Sequence, residues 1–109
     1  MTSQELPFDR AKAGRDLGML RAERHAGEEW NDYCDDFIYV YCRIYRELFC
    51  DDLWTAGLEV PAQPKALGPR ISAAGRADWI RKSGEYRPSV RSHLQVKPVW
   101  ESLIYGWPS

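Results

Sequence analysis

The sequence predicts a mainly α-helical chain that carries a small β-hairpin near its end. Three observations lead there. From Glu28 to Leu48, the residues Trp30, Tyr33, Cys34, Phe37, Ile38, Tyr41, Ile44, Tyr45 and Leu48 recur at i, i+3, i+4, i+7 spacing, the mark of a long helix with a buried face. Two shorter segments of helical pattern follow, before Gly75. After Gly75 the apolar residues fall in short extended runs separated by Gly and Pro.

The bulk properties fit one globular unit. A chain of 109 residues can bury roughly two thirds of its unfolded surface, enough for one core without metal or disulfide. Apolar residues make up 44%, with five Trp, six Tyr and three Phe, which argues against disorder. Residues 1–8 read as a flexible N-terminus and residues 9–109 as a single domain. The longest strongly apolar run, Phe37–Cys42, is far short of the ~20 residues a membrane span needs. The polar start, Met1–Pro7, lacks the apolar region of a signal peptide, so a cytoplasmic location, with no membrane partner, is expected.

The elements follow in order. Asp9 to about His25 reads as an amphipathic helix, weakened by Gly14 and Gly18 and ended near Ala26-Gly27. In the long helix, Glu28, Glu29 and Asp32 suit the first turns, and Arg43 and Arg46 the last. Ile38-Tyr39-Val40-Tyr41 has strand-like composition, but the flanking period favours helix. From Phe37 to Tyr45 nearly every face is apolar, which suits a central helix or one paired with a second chain; a homodimer is therefore expected. Phe49 to Trp54 forms a short helix entering at Cys50 or Asp51 and stopped by Gly57. Lys65 to Ala74 forms another, regular from about Gly68 because Pro69 fits only a first turn, with Gly75 as its cap. Asp78-Trp79-Ile80 starts a strand, Lys82 to Tyr86 makes the turn, and Val96 to Trp100 returns as an edge strand because it contains Pro98. The expected core is Phe37, Ile38, Tyr41, Ile44, Leu48, Leu53, Leu67, Ile71 and Ile80.

A long helix, a short helix, a third helix and a hairpin make the order of a winged-helix-like three-helix core, here preceded by an N-terminal helix. The residues also resemble a class of short phage and prophage proteins. The resemblance lies in Leu48-Phe49-Cys50-Asp51-Asp52-Leu53-Trp54, Lys65-Ala66-Leu67-Gly68, Ala73 to Ile80, Gly84 to Ser89, and Lys97 to Ser102. Arg15 to Met19 and His25-Ala26 are similar to the leading helix of that class, so the likeness runs from about Ala11 to Ser102. The chain departs from it at Pro69 and at Cys50, where a helix former and a Ser or Thr cap are usual. The resemblance implies fold and phage origin, hence a host bacterial cytoplasm, and carries no assigned activity.

Chemistry is sparse. There is no phosphate-binding Gly loop, nucleophile elbow or metal-ligand cluster, so neither enzyme activity nor a cofactor is expected. Cys34, Cys42 and Cys50, eight residues apart without a CxxC pair, read as small buried hydrophobes. Asp51-Asp52 reads as a helix cap, and Asp35-Asp36 as a solvated face. His93, close to Arg91 and Lys97, reads as an exposed residue with phosphate or partner contact as the sharper alternative.

Net charge is −1 but unevenly spread. Residues 1–60 hold 7 Lys/Arg and 13 Asp/Glu, net −6, whereas residues 61–109 hold 8 and 3, net +5. All eight basic residues of the second part, Lys65, Arg70, Arg76, Arg81, Lys82, Arg87, Arg91 and Lys97, fall on the third helix and hairpin, where they suit duplex DNA. Arg70 is the candidate for reading a base edge. The expected function is thus a non-enzymatic DNA-binding accessory or regulatory factor. The alternative is an anti-defence inhibitor, for example an anti-CRISPR, that meets a host nucleic-acid-binding protein through an acidic face of Glu28, Glu29, Asp32, Asp35 and Asp36.

Overall fold

The computed structural model describes residues 29–108. The expected N-terminal helix with Gly14, Gly18 and His25, the boundary at residue 8, and Glu28 lie outside them.

Helix α1 (Trp30–Ile44) leads into a two-residue strand β1 (Glu47–Leu48) and a short helix α2 (Cys50–Thr55). A 3-10 turn (Pro64–Ala66) opens directly onto helix α3 (Leu67–Arg76). Two long strands, β2 (Ile80–Ser89) and β3 (Gln95–Ser102), complete the fold. The three strands form one antiparallel sheet in the order β1-β3-β2. The expectation of a mainly α chain with a small hairpin is therefore corrected: among the described residues this is an α+β fold, three helices against a three-stranded sheet.

The core sits around α1. Tyr33, Cys34, Phe37, Ile38, Val40, Tyr41, Cys42 and Ile44 are all buried, so the helix is covered on most sides over its second half. All nine residues expected in the core are buried, with Val99 and Ile104 added from the end of the chain. α1 is held to the loop after α2 by the polar tips of one half-buried ring, Trp30, and one buried ring, Tyr33. Trp30 Nε1 donates to the Glu59 carbonyl at 2.8 Å, and the Tyr33 hydroxyl accepts the Glu59 N–H at 3.0 Å.

Several local expectations change for physical reasons. The helical period runs to Leu48, yet α1 stops at Ile44, because Tyr45 is extended and Glu47 and Leu48 pair with Glu101 and Trp100. Ladder pairing with a distant strand overrides a local pattern that has no breaker in it. Lys82 to Tyr86 is not the turn. Both strands continue past it, and the Ser83-Gly84 signal is absorbed as a bulge between the Lys82–Trp100 and Tyr86–Pro98 pairs. Ser83 Oγ donates to the Val99 carbonyl and accepts the Glu85 N–H, while Gly84 takes φ of 92°. β3 is the central strand rather than an edge, but Pro98 lies beyond the two residues that β1 pairs, so its missing N–H costs no ladder bond on that side.

The helix ends show the same economy. Gly57 closes α2 as expected, with φ of 109° and Leu58 N–H bonded to the Leu53 carbonyl. α3 runs through Gly75 and is closed instead by Asp78 at φ of 62°, with Trp79 N–H on Ala74 O and Asp78 N–H on Gly75 O. Gly75 has a different reason to be small: a Cβ there would meet the Trp100 ring at 3.2 Å. Pro69 is the third residue of α3, where no intrahelical N–H bond is due, and the helix is regular around it.

Candidate nucleic-acid interface

The eight basic residues separate into two groups. Arg70, half-buried, turns toward α1 and donates to Asp35 at 3.2 Å. Arg81 faces Glu101 across the β2–β3 pair at 3.4 Å. Arg87 is bonded to Glu85 at 2.7 Å and to Glu47 at 3.2 Å, contacts that push its pKa up. These three arginines are committed to carboxylates within the chain. Arg76, exposed in the last turn of α3, suits the negative end of that helix. Lys82 lies over the Trp100 ring at 5.8 Å.

Lys65, Arg91 and Lys97 are brought together. They line an open groove of ≈ 960 Å³ between α2, α3 and the far end of the hairpin, joined there by His93. The local sequence explains each position. Lys65 sits in the 3-10 turn started by Pro64. Arg91 belongs to the turn between β2 and β3, and His93 follows it in left-handed backbone, φ 53°. Lys97 pairs with Arg87 in the ladder. Trp54 and Trp100, both half-buried, supply aromatic walls, and the Arg91 guanidinium lies over Trp54 at 5.9 Å. Among the described residues no ion pair holds Lys65, Arg91 or Lys97.

Among the described residues, Asp51 is the sole carboxylate lining the groove, and it is occupied. Its Oδ1 accepts the Ser89 hydroxyl at 2.6 Å and its Oδ2 accepts the Val90 N–H at 2.9 Å. This replaces the expected helix-capping role: α2 is preceded by Phe49 with no side-chain cap, and Asp51 instead straps α2 to the end of β2. Ser89 is fully buried and donates its proton to a carboxylate, an arrangement for holding rather than for nucleophilic attack. Cys50 lies beside it, and burial pushes its thiol above the ordinary value. Burial pushes the Cys34 and Cys42 thiols up to about 12, consistent with small buried hydrophobes.

The acidic face is thinner than its sequence. Asp35 is taken by Arg70, and its carboxyl is raised above the ordinary value chiefly by burial, with Arg70 opposing the shift and Asp32 adding to it. Asp36 is also engaged. Glu29 and Asp32 are exposed. The described residues contain no group of three potential metal ligands, and no described helix is long and apolar enough to cross a membrane.

Lys65, Arg91 and Lys97 are among the basic residues singled out from the sequence, and His93 reads there first as an exposed residue; Trp54 and Trp100 as groove walls and Asp51 as the strap were not expected. The Trp spacing carries no groove signal, and Asp51 meets residues 38 and 39 positions away. Compared with protein families, curated proteins and solved structures, the chain matches none of them.

Proposed function

We propose that the chain is a small non-enzymatic nucleic-acid-binding protein, a DNA-binding accessory or regulatory factor of phage type acting in a bacterial cytoplasm. The observation that carries this reading is the unmatched charge of the groove. Lys65, Arg91 and Lys97 converge on one concave surface, and its single acid already accepts two hydrogen bonds from the protein. Such a surface attracts a phosphate backbone, and the tryptophan walls offer apolar area beside it. Because Arg70 is held by Asp35, base-edge reading through that residue is dropped from the proposal, and binding through phosphate should discriminate weakly between sequences.

The test is a salt titration. Anisotropy of a labelled duplex should give a log–log slope of about −3 for three phosphate contacts, and replacing Lys65, Arg91 and Lys97 with Ala should flatten it. Absence of binding even at about 50 mM salt would overturn the reading. A protein-binding anti-defence role through Glu29 and Asp32 would then be next in line.

A further inference from the structure

The three most exposed large apolar side chains among the described residues are neighbours. Val90 is 77% exposed, Leu94 66% and Val96 64%, all within seven residues; the first two lie in the turn between β2 and β3 and Val96 is the second residue of β3. They stand beside the groove rather than lining it. Exposed apolar residues grouped together mark a contact surface more often than scattered ones do, and Leu94 is also held against backbone preference. His93 and Leu94 adopt successive left-handed conformations, φ 53° and 65°, with no glycine in the turn. A bulky residue in that region is disfavoured and persists only where its surroundings impose it. Here they do so. Leu94 N–H is bonded to Ser89 O at 2.8 Å, and Asp51 clamps Ser89 and Val90 from the other side. The turn is therefore tied to β2 and α2, and it carries exposed aliphatic side chains close in the chain to Arg91, His93 and Lys97.

We infer that this turn, the hairpin tip, is a wedge that enters duplex DNA at a base step while the groove cations hold the adjoining backbone. The inference rests on the nucleic-acid reading of the groove and adds the form of DNA it selects. Aliphatic side chains on a cationic protein surface gain by leaving water between bases, and the cost is unstacking. That cost is least where a step is already open, so the preferred substrate is a duplex with an unpaired base or a flexible pyrimidine–purine step. Charge complementarity favours a polyanionic rod over a membrane. The cations converge on a groove beside the turn, and the exposed aliphatic residues fall within seven positions around that turn rather than along a helix face.

The experiment compares the whole protein with the variants V90S and V90S/L94N, using labelled intact duplex, the same duplex with one bulged base, and vesicles of anionic phospholipid. Asn tolerates left-handed backbone, so the turn should persist, and thermal melting checks it. Unmodified protein should favour the bulged duplex by about tenfold and shorten the end-to-end distance read by energy transfer. V90S/L94N should bind intact duplex within about twofold of unmodified protein, with the same salt slope, yet lose both the preference and the bend. V90S, which leaves the left-handed turn untouched, should fall between them. Salt-dependent binding that ignores the bulge overturns the wedge and leaves the groove standing. Loss of all duplex binding by unmodified protein removes both. Vesicle binding that disappears in V90S/L94N, without any bulge preference, assigns the tip to a membrane and also overturns the wedge.

Discussion

Two sets of three cations, equal in formal charge, have opposite surroundings in this molecule. Outside the groove, Arg70, Arg81 and Arg87 each meet a carboxylate from another part of the chain: Asp35 on α1, Glu101 on β3, and Glu47 with Glu85. Inside it, Lys65, Arg91 and Lys97 share one acid, and that acid is bound to Ser89 and Val90. The first set joins elements of the fold. The second leaves its charge toward solvent. A count of basic residues along the sequence cannot separate them, because the acids that matter lie up to 40 positions away.

The sharpest way to break this comparison is to neutralise each set in turn. Replacing Lys65, Arg91 and Lys97 with Ala should weaken duplex binding about 100-fold to 1,000-fold near physiological salt. Replacing Arg81 and Arg87 should change it by less than about threefold, because those charges are paired already and screened. Equal losses from both sets, measured by anisotropy, would erase the distinction.

The next effect concerns the strap. Asp51→Ala leaves the buried Ser89 hydroxyl without its acceptor, so denaturant unfolding should show a loss of about 1–3 kcal/mol. Faster amide exchange should be confined to the turn after β2. An exchange pattern unchanged around Val90 would show that the tip holds its shape unaided.

The smallest effect tests the paired set. The Asp35 carboxyl is raised above 3.8, mainly by burial. The folded chain then binds more protons than the unfolded one just above that pH, and stability falls slightly as pH rises through the window. Asp35→Asn should flatten that slope and alter stability by less than about 1 kcal/mol, as expected for a partly exposed pair. A larger loss in urea titrations would promote Arg70–Asp35 from a weak seam to a main support.

Legibility followed the range of the interactions. α1 was readable because its period is local and repeated, and eight of the nine core residues followed from that period and its shorter echoes in α2 and α3, with Ile80 added from the strand start after Gly75. β1 was hidden inside the same period: Glu47 and Leu48 continue a helical pattern, and only β3, more than 50 residues on, draws them into a ladder. The Ser83-Gly84 pair was a true signal of backbone irregularity, but a bulge and a turn both use a glycine with positive φ, so the sequence alone could not separate them. The actual turn uses His93 and Leu94, residues with no turn propensity to read. In the site, the cations were legible one by one. Their convergence was not, because it depends on the longer strands that this bulge permits.

The strand order has a consequence for how the chain is made. β3 lies between β1 and β2, yet it comes last of the three in the sequence. During synthesis, β1 and β2 leave the ribosome with no ladder partner, and neither pairs with the other in the finished sheet. Every interstrand bond waits for residues 95–102. Until then the nascent chain offers a helical cluster and a long unpaired strand, the kind of edge on which chaperones and unwanted partners act. A message truncated before Gln95 would therefore encode no sheet at all among these elements.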